Sequence, residues 1–205
     1  MRIPRFLTIL SFAVIVFCGV SFADSTFDFS SKGNGDIGAM DTFTAGGSSI
    51  TVWGFSDGST AADDDSTHLF FKNGTGDENG LGLNDGDVDN EISGTAFIQF
   101  TAAGIKTISI GSVQSGETYQ LYGSNTLGTL GTKIGSVGTA DATNLNLAAI
   151  DGTWTYVSLF APSGNVLLDN ATAAAPVVPE PGATTMLMTL GVVGLLAFGR
   201  RKLFA

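Results

Sequence analysis

Ten carboxylates fall between Asp57 and Glu91: Asp57, Asp63, Asp64, Asp65, Asp77, Glu78, Asp85, Asp87, Asp89 and Glu91. Lys72 is the one basic residue among them other than the neutral His68. From Asn73 onward they are separated by glycine and asparagine, in the run NGTGDENGLGLNDGDVDNEI. Calcium takes roughly six to eight oxygen ligands from flexible loops, and crowded carboxylates repel one another until a cation relieves them. Asp77, Asp85, Asp87, Asp89 and Glu91 are the expected ligands of a Ca2+ site, with Asp85, Asp87 and Asp89 at alternate positions. The spacing is not that of an EF-hand, whose loop needs Gly at the sixth place and Glu at the twelfth. Counted from Asp85, those places hold Asn90 and Ala96. A solvated acidic loop that keeps the protein soluble is the competing reading.

His68 is the single histidine. No GxSxG elbow accompanies it, and zinc catalysis needs several His or Cys ligands. Paired carboxylates hydrolyse glycosides when burial tunes one of them, which a Gly-rich loop does poorly. The chain is therefore expected not to be an enzyme. Aromatics supply a different chemistry. Trp53 and Phe55 alternate on one face of SITVWGFS, and Trp154 and Tyr156 on one face of TWTYVSLF. If Ile50 and Val52 point into the core, Trp53 and Phe55 point out, where aromatic rings can stack on sugars. Burial in a core is the competing use of such large apolar rings.

The elements that must position these groups read as strands. Apolar residues do not recur at helical spacing. Short runs rich in β-branched and aromatic residues alternate with turn residues instead: Thr26 to Ser30, Ser49 to Ser56, Thr67 to Lys72, Thr95 to Thr101, Ile105 to Ile110, Glu117 to Gly123, Thr153 to Phe160 and Asn165 to Asn170. Eight or nine such strands predict an all-β fold, a jelly-roll-like antiparallel β-sandwich with its first and last strands adjacent. No period of 20 to 50 residues repeats, so a solenoid or propeller is not expected.

Charge is segregated along the chain. All 19 acidic residues lie between Asp24 and Glu180, where only Lys32, Lys72, Lys106 and Lys133 oppose them, which leaves −15. Such a surface repels phosphate backbones, so nucleic acid is excluded as a partner. The one cysteine, Cys18, lies in the apolar N-terminal run, so neither a disulfide framework nor thiol chemistry is expected beyond it.

The two ends read as targeting segments. Arg2 and Arg5 precede an apolar run, residues 6 to 20, and Ser21-Phe22-Ala23 offers small residues at the positions signal peptidase reads. Residues 1–23 are expected to be a signal peptide cleaved after Ala23. At the other end, Pro179-Glu180-Pro181 cannot continue a helix or a strand. Residues 183 to 199 are uncharged and mostly apolar, a single transmembrane helix of about 25 Å at 1.5 Å per residue. Arg200, Arg201 and Lys202 follow as a stop-transfer cluster that stays cytoplasmic. Motif, helix and basic tail in this order resemble the PEP-CTERM sorting signal of exosortase substrates, over about the last 28 residues. The resemblance implies processing near Pro179, Glu180 and Pro181 by a membrane-embedded exosortase, with delivery to the cell surface or its extracellular polysaccharide.

The expected organisation is a signal peptide (1–23), a β-sandwich ectodomain (24–170), a linker (171–178) and the sorting signal (179–205). The expected protein is exported, anchored transiently in the membrane, and left at the cell surface or in the extracellular matrix. Its expected role is structural or adhesive, in a biofilm or exopolysaccharide. A carbohydrate-binding module, calcium-dependent or not, is the alternative, and a secreted hydrolase stands behind both.

Overall fold

Alternation of apolar and polar residues at period two forces a strand to bury one face, and two such sheets solve that problem by packing face to face. The computed structural model, which describes residues 23–56, 67–85 and 89–175, shows that solution. Its strands in chain order are β1 (Ser25–Asp28), β2 (Gly35–Gly38), β3 (Met40–Ala45), β4 (Ser48–Phe55), β5 (His68–Asn73), β6 (Asn79–Asn84) and β7 (Ile92–Ser93). They continue with β8 (Phe97–Thr101), β9 (Ile105–Gly111), β10 (Thr118–Ser124), β11 (Thr132–Gly138), β12 (Ala142–Asn146), β13 (Tyr156–Ser163) and β14 (Asn165–Ala173). One 3-10 turn spans Ala148–Ile150.

The strands form two antiparallel sheets. The first runs β12-β9-β14-β6-β5-β2, with β1 and β7 also paired to β14, and the second runs β11-β10-β13-β8-β4-β3. The expected all-β sandwich is present, and so is the adjacency of its ends, since Ser25 to Asp28 pair with Ala173 to Asn170. The core lies between the sheets and is filled by Leu69, Leu81, Leu83, Ile108, Ile110, Val166 and Leu168 from the first and Ile50, Val52, Ile98, Phe100, Leu121, Val157 and Leu159 from the second. Phe29 and Phe71 each pack edge-on to Phe43, at 5.0 and 5.8 Å between ring centres.

Local chemistry fixes the connections. Gly46 and Gly47 join Ala45 to Ser48 with φ of 54° and 86°. Positive φ at both central residues is the hairpin turn whose twist matches the flanking strands. Pro162 lies near the end of β13, beside the register shift opposite Thr118 to Gln120, where a ladder donor is not required.

Two expectations change. The acidic Gly-rich run is not one open loop: Asn79–Asn84 is strand β6, with Leu81 and Leu83 fully buried. Turn-like composition misleads here because its glycines meet a covering layer rather than solvent. A Cβ on Gly82 would stand 2.2 Å from the Asn90 carbonyl oxygen, and one on Gly80 would stand 2.9 Å from that of Leu168. The strand expected to close the fold at Asn170 continues to Ala173, so Ala171, Thr172 and Ala173 of the expected linker belong to β14.

Candidate functional site

Two outer faces carry the polar and aromatic groups. On the outside of the first sheet, the short stretch of Asn90 and Glu91 lies over β6. Gly82 leaves room for it, with Leu167 fully buried beside it. Glu91, 4% exposed, anchors the segment. Its carboxylate accepts from Lys72 Nζ at 2.5 Å and from Ser112 Oγ at 3.1 and 3.2 Å. Lys72 also lies 3.3 Å from Glu78. Burial pushes the Glu91 carboxyl above its ordinary value, and the lysine and serine hold that rise back. Burial works against the charge on Lys72, but the two carboxylates outweigh it and raise its pKa. Ser112 reaches this position with φ of 59° and Asn90, next to Glu91, with 54°. Both residues sit in a backbone region sparsely populated outside glycine.

The five expected calcium ligands are thus distributed as follows. Asp77 lies in the β5–β6 turn. Asp85 accepts from Ser93 Oγ at 3.3 Å, and Asp89 borders a shallow cleft with Phe70, Asn73 and Asn90. Glu91 is committed to Lys72 and Ser112. Asp87 lies outside the described residues. Among the described residues no three His, Cys, Asp or Glu side chains gather as a metal cage. His68 donates or accepts with Asp36 at 2.8 Å in an exposed pair at the β2–β5 junction.

A carboxylate outside the expected set is the most unusual group on this face. Asp169, in β14, has its Oδ1 buried without a hydrogen-bond partner. Burial pushes its carboxyl up to about 7, and the charges of Asp141, Asp77 and Asp28 add to the rise. In the sequence it is a single acid closing NVLLD, with nothing local to mark it.

The outer face of the second sheet is aromatic. Strand register sets one row across all six strands: Met40, Trp53, Gln99, Ser158, Tyr122 and Lys133. Trp53 points outward, as the burial of Ile50 and Val52 requires, and meets Tyr156 edge-on at 5.7 Å. Both are partly accessible, and Met40 beside Trp53 is 53% exposed. Phe55 shares the outward direction of Trp53 but is buried, stacked on Phe97 at 5.0 Å. Trp154 precedes β13 and covers Gly123, where a Cβ would stand 2.4 Å from the indole. By alternation with the core residue Leu121, that is the inner side of the sheet. The four aromatics therefore divide: Trp53 and Tyr156 form one partly accessible pair, while Phe55 and Trp154 pack elsewhere.

Gln99, fully buried, is a functional-looking residue the aromatic pattern conceals. Its amide nitrogen donates to the Thr129 carbonyl and Ser158 Oγ, both at 3.0 Å, and its oxygen accepts from Gly128 N at 2.7 Å. It ties the loop between β10 and β11 across the middle of this face.

The ends Met1–Phe22 and Pro176–Ala205 lie outside the described residues, and with them Pro179, Glu180, Pro181, Arg200, Arg201, Lys202 and the expected terminal helix. No helix among the described residues is long and apolar enough to cross a membrane. The comparison with known families bears on this end: residues 177–202 match the model of the PEP-CTERM protein-sorting motif. No curated protein matches the chain.

Proposed function

We infer that this chain, whose residues 177–202 match the PEP-CTERM sorting motif, is an exported protein sorted through an exosortase. We propose that its β-sandwich serves, without catalysing a reaction, as a structural or adhesive component of the extracellular polysaccharide layer. Signal peptidase would remove residues 1–23, the membrane would hold the chain until processing, and the sandwich would end at the cell surface or in the matrix. The sorting motif is the observation that carries this reading. The sandwich joined to it supports the reading through its dense core and its strongly acidic surface, which suits a hydrated, soluble matrix component.

The test is made in cells that possess the exosortase. The native chain is expected in the polysaccharide fraction, and the variant Pro179→Ala with Pro181→Ala in the membrane fraction. Cells lacking the chain should form a matrix that disperses at lower shear. Unchanged fractionation of the variant, together with unchanged cohesion, would sink the proposal.

A second reading rests on the Trp53–Tyr156 pair, which offers a partly accessible aromatic edge for a sugar ring on the outer face of the second sheet. Glycan-array binding of the native chain, lost in Trp53→Ala with the fold retained, supports it. Binding that survives both Trp53→Ala and Tyr156→Ala removes it.

A further inference from the structure

The register between β14 and β9 slips by one residue where Leu168 faces Ile110 and Asn170 faces Ser109. Asp169 is the extra residue, and the resulting bulge redirects its side chain. β14 stands between β9 and β6 in the sheet. A Cβ on Gly111 of β9 would stand 2.6 Å from both carboxyl oxygens, and one on Gly80 of β6 would stand 3.2 Å from Oδ1. The carboxyl group thus lies in a cradle that exists only because glycine flanks it on both neighbouring strands. Its Oδ1 is buried and has no partner.

The charges around this cradle are of one sign. Asp28 comes from β1, Asp77 from the β5–β6 turn and Asp141 from the turn before β12, and all three act on Asp169. Asp28 accepts from Ser30 and Ser31, and Asp141 from the Val113 amide at 2.8 Å. Lys106 of the flanking strand β9 is engaged with Asp24, and Lys72 of β5, one strand beyond β6, with Glu91 and Glu78. Asp169 as a whole is half-buried, but its Oδ1 is enclosed without a donor or a cation, which is costly for the ionised carboxylate and far less so for the neutral acid.

We infer that Asp169 is a proton-operated latch: the closed sandwich holds it as the neutral acid, and ionisation drives it out of the glycine cradle and loosens the N-terminal strand. The link to that strand is direct. The Asp169 carbonyl accepts from Phe29 N at 2.8 Å and from Ser30 N at 3.1 Å, just beyond β1. Phe29 in turn packs on Phe43. Moving the bulge therefore moves the clasp that closes the fold.

Burial raises this carboxyl from 3.8 to about 7. A raised folded-state pKa gives stability that is complete below the unfolded value and is lost as pH rises through the folded one. The window of loss thus runs from about pH 4 to pH 7.

The test uses the full chain in mild detergent. Thermal melts at pH 5 and pH 8 should differ by about 5 °C in the native chain, with the higher melting temperature at pH 5. Asp169→Asn should remove most of that difference and melt above the native chain at pH 8. Equal pH dependence in the two chains overturns the latch. If Asp169→Asn does not fold, infrared titration of the native chain decides instead. A carboxylic acid carbonyl band present at pH 5.5 and gone by pH 8 supports the proposal, and its absence at pH 5.5 overturns it. Millimolar calcium at pH 8 should leave the melt unchanged. Restoration of the pH 5 stability by calcium would overturn the inference, because a cation and not a proton would then close the cradle.

Discussion

Replacing Lys72 with methionine keeps an unbranched side chain one atom shorter and removes its charge. Glu91, 4% exposed, would keep only the Ser112 hydroxyl as a donor. Breaking a buried pair by removing one partner costs about 3 kcal/mol or more, because the other charge is left uncompensated. At roughly 2 to 4 °C per kcal/mol for a domain of this size, the melting temperature should fall by about 10 °C. Glu91→Leu is the milder change, since Lys72 retains Glu78 at 3.3 Å, and about 1 to 2 kcal/mol is expected. The double variant should cost less than Lys72→Met alone, because replacing both charges by apolar groups removes the desolvation penalty with the attraction. Urea unfolding of all four chains, followed by the fluorescence of the two tryptophans, closes the cycle. The Lys72→Met deficit should also shrink toward pH 4. Burial already lifts Glu91 above 4.5, and without the lysine it rises further, so stability is lost as pH climbs through the new value and regained below it. Single costs that add to the double cost within about 0.5 kcal/mol would refute the reasoning.

Two further outcomes follow from the same geometry. Leu81→Ala should cost about 2 to 5 kcal/mol in urea unfolding; a cost below about 1 kcal/mol would mean that β6 is the surface loop its composition suggests. Gln99→Ala should cost about 1 to 3 kcal/mol, since it orphans the Gly128 amide it bonds, and should speed hydrogen exchange at Gly128; protection unchanged at that amide would show that the loop is held by other contacts.

The core of the sandwich was legible where the pattern is local. Ile50 and Val52 alternate with Thr51 and Trp53 within one strand, so the inner face and the outward direction of Trp53 follow from period two alone. What escaped depends on contacts distant in sequence. Asn79–Asn84 reads as turn because four of its six residues are glycine or asparagine, yet its glycines are required by Leu167, Asn90 and Glu91 lying on them. β11 and β12 are edge strands with little buried surface, so their apolar signal is thin. Glu91 looked like one more oxygen ligand because its partner Lys72 is 19 residues away. Asp169 gave no sign at all, because a bulge arises from a register between strands and not from either strand alone. Phe55 and Trp154 were grouped with Trp53 and Tyr156 by alternation, which does not say what covers Phe55 and does not apply to Trp154, since that residue precedes β13.

The pairing of the first and last strands also sets how the sandwich bears force. β14 ends at Ala173, and the Ala175 amide donates to Asp24 at 3.1 Å, beside the start of β1. β14 is laddered to β9 from Leu167 to Ala173 and to β1 from Asn170 to Ala173. A pull applied along β14 from beyond Ala175 is resisted by the bonds of both ladders together, in shear. Unzipping them singly would need a pull across the strand.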